Sequence, residues 1–187
     1  MSVIYETDQD LTNQQKVMAI INGWMNGLPA IGGKGNNFHY KEIKTVAGES
    51  KPDFELWWSD HCTGVVEIKC HMMRVKKRHD ALMISRGKLL MLYKQYQLKG
   101  TPAMLAYGVF VEKKLSEVLF ADLRTLIYHR DKWKNAEKEH SSTTDHGRGK
   151  RASPDECYLI PTELFWSLKK PELLVPANKN TSKPMEI

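Results

Sequence analysis

A single α/β domain with a central mixed sheet flanked by helices is the fold class this sequence predicts, and three observations carry it. Apolar residues recur at helical spacing near the N-terminus. Two strand-like runs, 54–58 and 65–70, follow around a polar, glycine-ended stretch. Helical and buried-strand patterns then alternate between residues 80 and 128. The 187 residues, 41% hydrophobic and 27% charged, suit one core of ordinary size and exclude collagen, coiled coil and wholesale disorder.

The first helix is expected from about Thr12 to Met25. Val17, Ile20, Ile21, Trp24 and Met25 share a face, Asp10 or Thr12 can cap the start, and Gly27 with Pro29 ends it. Residues 31–37 are rich in glycine and asparagine and read as loop, with Phe38–Val46 as a strand beyond. Phe54–Trp58 and Val65–Cys70 form an expected antiparallel pair joined by the loop Ser59–Gly64. Leu82, Leu89, Leu92 and Tyr96 then mark a helix between 80 and 98. Gly87 costs such a helix about 1 kcal/mol against alanine, so an ordered start at a Ser85 cap is the alternative. Ala103–Val111 is a buried strand, and Leu119–Tyr128 a short strand or turn leading into a helix. Residues 134–155 hold almost no apolar side chains and are expected to be a mobile loop inside one domain spanning 1–175. Cys157–Ile160 restores a strand, Pro161–Leu168 reads as a helix with proline at its start, and 176–187 as a disordered tail.

No apolar run reaches the length of a membrane span, and Glu6, Asp8 and Asp10 stand where a signal peptide would be basic, so a cytoplasmic protein with no membrane partner is expected. Cys62, Cys70 and Cys157 are too few for a disulfide framework. The net charge of +6 is unevenly placed. Between residues 69 and 99 nine basic side chains face Asp80 alone, a local +8, while the other 19 basic and 21 acidic residues leave −2 elsewhere. A confined positive segment suits a polyanion, because each neutralised phosphate releases condensed counterions. Arg74, Lys76, Lys77, Arg78, Arg86, Lys88 and Lys94 are the candidate DNA-binding residues. The alternatives are a solvated helix face and a docking surface for an acidic protein.

The stretch that carries chemistry is Pro52-Asp53-Phe54-Glu55 followed, after eleven residues, by Glu67-Ile68-Lys69. Strand parity puts Asp53 with Glu55, and Glu67 with Lys69, on one face, while Phe54, Leu56, Val66 and Ile68 point the other way. A hairpin centred near His61 sets Asp53 opposite Lys69 and Glu55 opposite Glu67. Carboxylates facing one another across strands repel unless a cation lies between them, and oxygen ligands favour Mg²⁺, or Mn²⁺, over zinc. An amine beside such a cation can orient or deprotonate water, or neutralise charge in a phosphoryl transition state. Metal, water and a basic face together point to phosphodiester hydrolysis. A zinc site from His61-Cys62 and Cys70-His71 is disfavoured, since the pairs lie on the order of 20 Å apart at ~3.3 Å per residue. A metal clip across His140, His146 and Cys157 is disfavoured too, and Cys157 reads as a small buried residue. Of Trp57 and Trp58, one on each strand face, one is expected in the core.

Pro52-Asp53 and Glu67-Ile68-Lys69, set on adjacent strands with a basic helix downstream, resemble the motif of the PD-(D/E)xK nuclease superfamily, which shares the restriction-endonuclease-like fold. The resemblance spans about residues 12–112. It implies a restriction-endonuclease-like core, Asp53 and Glu67 as metal ligands helped by the Ile68 carbonyl, Lys69 as catalytic lysine, and a Mg²⁺-dependent deoxyribonuclease. Many members carry a glutamate early in the first helix. Here the stretch reads Asn13-Gln14-Gln15-Lys16, so that either Glu55 substitutes as a metal ligand or a second metal is absent. The Holliday-junction-resolvase-like and virus-type replication-repair branches often place a serine three residues before a glutamine, where this chain has Ser85 and Lys88. By that resemblance, branched or single-stranded DNA is a candidate substrate and a homodimer a candidate assembly. The alternative is a catalytically inactive nucleic-acid-binding module that keeps the fold.

Overall fold

A computed structural model describes residues 8–28, 37–44, 50–73, 80–133, 137–140, 155–170 and 173–176. In chain order the elements are α1 (Asp8–Gly27), β1 (Phe38–Glu42), β2 (Phe54–Trp58), β3 (His61–Met73), β4 (Ala81–Ser85), α2 (Arg86–Lys99), β5 (Ala103–Val111) and β6 (Lys114–Asp122). They continue with α3 (Leu123–Tyr128), α4 (Arg130–Trp133), β7 (Glu137–His140), β8 (Asp155–Pro161), a 3-10 turn (Thr162–Leu164), β9 (Trp166–Lys170) and β10 (Leu173–Pro176). Among the described residues seven strands form the central sheet in the order β1-β2-β3-β5-β6-β9-β10, and β4-β8-β7 form a second, smaller sheet. The central sheet is mixed because β3 and β5 run parallel, Val65 against Ala103 through Met73 against Val111, whereas its other described pairs are antiparallel. A parallel pair needs a crossover connection, and β4 with α2 supply it.

Each face of the sheet buries its own cluster. On one, Val17, Met18 and Ile21 of α1 pack on Phe54, Leu56, Val66, Ile68, Ala106 and Phe110. On the other, Leu89 and Leu92 of α2, with Leu82, Ile84 and Ile160 of the smaller sheet, cover Val65, Leu105, Tyr107 and Val109. The alternation of Val65 with Val66 and of Leu105 with Ala106 is the period of two that a sheet covered on both sides requires. Helix α1 packs directly over Gly108, where a Cβ would lie 2.4 Å from Val17 Cγ2 and 2.9 Å from Phe110 Cε2. Gly108→Ala is therefore expected to destabilise the protein by about 1–3 kcal/mol, read as a lowered urea midpoint with unchanged slope.

Several expected elements differ. The hairpin loop is two residues rather than six: β2 ends at Trp58, β3 begins at His61, and Ser59 takes φ 55° between them. Thr63 Oγ1 donating to the Leu56 carbonyl at 3.3 Å and a register shift between Leu56 and Trp57 accommodate the tight turn. The helix expected over 80–98 is β4 followed by α2. Leu82 and Ile84 alternate inward and β4 pairs with β8, while Ser85 takes the cap position that Gly87 suggested. The helix expected over Pro161–Leu168 is a 3-10 turn and then β9, which pairs with β6 through Ser167 and Leu168; partnering that strand outweighed the local helical pattern. Trp57 and Trp58 both lie outside the buried clusters, Trp57 half-buried with Lys41 Nζ 3.6 Å from its ring centroid and Trp58 exposed. Cys157 is buried as expected. Of the segment 134–155, residues 137–140 form β7 and Asp155 opens β8, and the rest lies outside the described residues, as do 177–187. Among the described residues no helix is long and apolar enough to cross a membrane.

Candidate active site

The edge of β2 and the centre of β3 build the site. Pro52 is buried and leads the chain into β2, and the Asp53 backbone is held on both sides: its N–H donates to the Val66 carbonyl at 3.1 Å and its carbonyl accepts from Ile43 N–H at 2.9 Å. Phe54 pairs with Val66 and Glu55 with Val65, so continuing the register one step brings Asp53 alongside Glu67. The expected register, Asp53 opposite Lys69, is off by two residues because the turn is shorter. An even shift preserves strand parity, and Asp53, Glu67 and Lys69 keep their common face. Asp53 Oδ2 accepts from the Ile68 N–H at 2.6 Å, which ties the carboxylate across to β3.

Glu67 is wholly buried, and an ammonium stands at each of its oxygens. Lys69 Nζ lies 2.7 Å from Oε1, and Lys88 Nζ lies 3.1 Å from Oε2 while also donating to the Lys51 carbonyl at 3.3 Å. The Lys69 contact is an ion pair off the direction a hydrogen bond needs, so Oε1 is a buried oxygen that accepts no hydrogen bond. Asp53 is pushed up to about 7 from 3.8, first by burial and then by the neighbouring Glu67, against the lowering effect of the Ile68 N–H, Lys88 and Lys69. Tyr107 closes the wall beneath, its phenol pushed up by burial and by Glu67, and its hydroxyl donates to the Met83 carbonyl.

The raised Asp53 pKa carries a consequence for stability. Between its unfolded value near 3.8 and its folded value near 7 the native state binds more protons than the unfolded state, so stability falls as pH rises through that window. In chelator, unfolding free energies from urea titrations between pH 4 and pH 8 should decline with a slope of at most about 1.4 kcal/mol per pH unit and level off above 7. Asp53→Asn should remove that decline, and persistence of the full slope in the variant would assign it to other groups.

Lys88 is the residue that sequence reasoning placed elsewhere, on the DNA-binding face. A signal was present: the first turn of α2 holds Arg86 and Lys88 and no acidic residue, although cations are disfavoured at a helix N-terminus. Ser85 caps that turn by accepting from Lys88 N–H at 3.4 Å, which fixes where the lysine side chain starts. Glu55 is not brought to Glu67; its Oε2 accepts from Trp57 Nε1–H at 3.0 Å. Among the described residues no cluster of three or more His, Cys, Asp or Glu could hold a metal, so neither Glu55 as a third carboxylate nor the cysteine–histidine pairs assemble a cage. Asn13 and Gln14 are buried on α1, which packs against the face opposite Glu67. Arg86 and Lys94 are exposed on α2, and Arg74, Lys76, Lys77 and Arg78 lie outside the described residues.

No protein-family profile and no curated protein matches the chain. Among solved structures it is similar to Hjc of Archaeoglobus fulgidus, a Holliday junction resolvase from an archaeal hyperthermophile, with a TM-score of 0.38 and 11% identity over 78% of this chain and 85% of that one.

Proposed function

We propose that the chain is a metal-dependent deoxyribonuclease in which Asp53 and Glu67, with the Ile68 carbonyl, hold Mg²⁺ or Mn²⁺ and Lys69 serves as the catalytic lysine. The observation that carries the reading is the pairing of the wholly buried Glu67 carboxylate with the half-buried Asp53 carboxyl, which is pushed up to about 7. Two carboxyl groups this close repel, a repulsion that the two ammonium groups relieve in part and that a divalent cation would relieve further. The donor set fits a hard ion: two carboxylates and a backbone carbonyl, all oxygen, with the remaining positions left to water and a phosphate oxygen. When bound, the ion would polarise a phosphoryl oxygen and lower the pKa of a coordinated water.

The chain's own residues supply the rest. The Ile68 N–H holds Asp53 through Oδ2, an anchor that would orient the carboxylate for a cation. Lys69 is about one-third exposed, so its ammonium can reach both Glu67 and a phosphodiester arriving from solvent. There it can hold the attacking water or neutralise charge developing on phosphorus. Exposed Arg86 and Lys94 extend the positive face along α2 toward a polyanion. The motif resemblance extends the proposal to branched or single-stranded DNA and to a homodimer, and the acidic residues near the N-terminus extend it to the cytoplasm.

A non-cleaving DNA-binding module is the second reading, and the engagement of both Glu67 oxygens by lysines favours it. One experiment separates the two. Labelled single-stranded, duplex, flap and four-way-junction DNA is incubated with the protein in Mg²⁺, Mn²⁺ or chelator. Cleavage of any substrate in a divalent ion, abolished by chelator, is the expected result. Binding without cleavage in every condition establishes the module instead.

A further inference from the structure

Lys88 is bound more closely into the carboxylate pair than a DNA-contacting lysine needs to be. Its side chain is 29% exposed, and its ammonium is divided between Glu67 Oε2 and the Lys51 carbonyl, two acceptors from different parts of the chain. The Ser85 cap holds its backbone in the first turn of α2, and Leu89 and Leu92 anchor that helix in the core. Both Glu67 oxygens meet an ammonium, Lys69 at Oε1 and Lys88 at Oε2, but Lys88 is the less exposed of the two and is also tied to the Lys51 carbonyl. We infer that Lys88 is a positioning residue that permanently fills one cation position of this centre, so that the centre takes a single divalent ion. This rests on the function proposed above.

Charge is the physical reason. Two carboxylates and two ammonium groups are together neutral. One divalent ion then leaves the site two positive charges, which match a doubly charged pentacoordinate phosphoryl transition state. A second divalent ion would leave two positive charges unmatched in a site where Glu67 has no exposure to water. The ammonium on α2 would therefore supply part of the positive charge that a second metal supplies in two-metal phosphoryl-transfer centres. A fixed ammonium also cannot be washed out, so cleavage should depend on the first power of the metal concentration.

The test counts ions as well as turnover. Binding of Mn²⁺ is followed by loss of the free-ion EPR signal in wild type, Asp53→Ala, Lys88→Gln and Lys88→Arg, and cleavage is measured over a Mg²⁺ series. Wild type and Lys88→Arg should bind one Mn²⁺ that Asp53→Ala abolishes, with a metal dependence of order one. Lys88→Gln should cleave about 100-fold more slowly at low Mg²⁺, admit a second Mn²⁺, and recover in part at high Mg²⁺ with an order approaching two. Two Mn²⁺ ions in wild type, both lost in Asp53→Ala, overturn the inference whether or not the glutamine variant folds. So does a glutamine variant with unchanged stoichiometry and unchanged order, and either result leaves the metal-dependent nuclease reading intact. Absence of any Asp53-dependent ion in wild type overturns that reading itself, and this inference with it.

Discussion

Asp53→Ala protein is expected to bind DNA in chelator at least as tightly as wild type and to cleave it at least about 1,000-fold more slowly in Mg²⁺. The substitution removes a cation ligand and a negative charge together, so rate and affinity should part company. Asp53 is the cleaner of the two acidic positions to remove. Its side chain accepts from one backbone N–H, and the backbone bonds to Val66 and Ile43 do not depend on it. Glu67→Ala should lose cleavage to the same degree. It strips the partner from two ammonium groups at once and should also cost on the order of 3 kcal/mol of stability. Cleavage at the wild-type rate by purified, folded Asp53→Ala protein would refute the metal site.

Lys69→Met is expected to lower the cleavage rate by about 100- to 1,000-fold while changing DNA affinity little. Methionine keeps much of the apolar length, and β3 is held by its neighbours on both sides, so the strand should persist. Lys69 is one of nine basic residues in its segment, and as a phosphate contact alone its loss should reduce the salt slope by about one unit. Glutamine at Arg74, Lys76, Lys77 and Arg78 supplies the contrast and should weaken binding whether or not the protein cleaves. The paired measurement is DNA affinity in Ca²⁺, which should occupy the site without supporting turnover, and cleavage rate in Mg²⁺. Parallel losses of affinity and rate in Lys69→Met would show that the lysine binds DNA and does no chemistry.

What could be read from residues alone was whatever depends on local periodicity. Val17 and Ile21 at helical spacing lie on the buried face of α1, and the alternation through Val65, Val66, Glu67 and Ile68 assigned each side chain to a face before any partner was known. Parity is a property of one strand and survives an error in pairing. That is why Asp53, Glu67 and Lys69 still meet on one face although the hairpin register was misplaced by two residues. The register itself depends on how the turn closes. A polar six-residue stretch looked like loop, but Ser59 in the left-handed region lets the strands pair from His61 onward, and the added backbone hydrogen bonds favour the longer ladder.

Non-local contacts settled the remainder. Leu82 and Leu89 fit one helical face, yet β8, nearly 80 residues further on, offers a ladder that makes 81–85 a strand. Trp166 to Leu168 likewise became a strand because β6 lay open beside it. Lys88 is the clearest case: by charge it belonged with Arg86 and Lys94, and its place at Glu67 exists because the β4–α2 crossover carries the start of α2 back over β3. The sequence by itself determined the chemical identities of the candidate centre and the face each presents, because strand parity needs no partner. Only the tertiary structure decided that Asp53 stands beside Glu67, that Glu55 turns to Trp57, and that a second lysine reaches Glu67, because those distances depend on turn closure and on a crossover joining residues far apart in the chain.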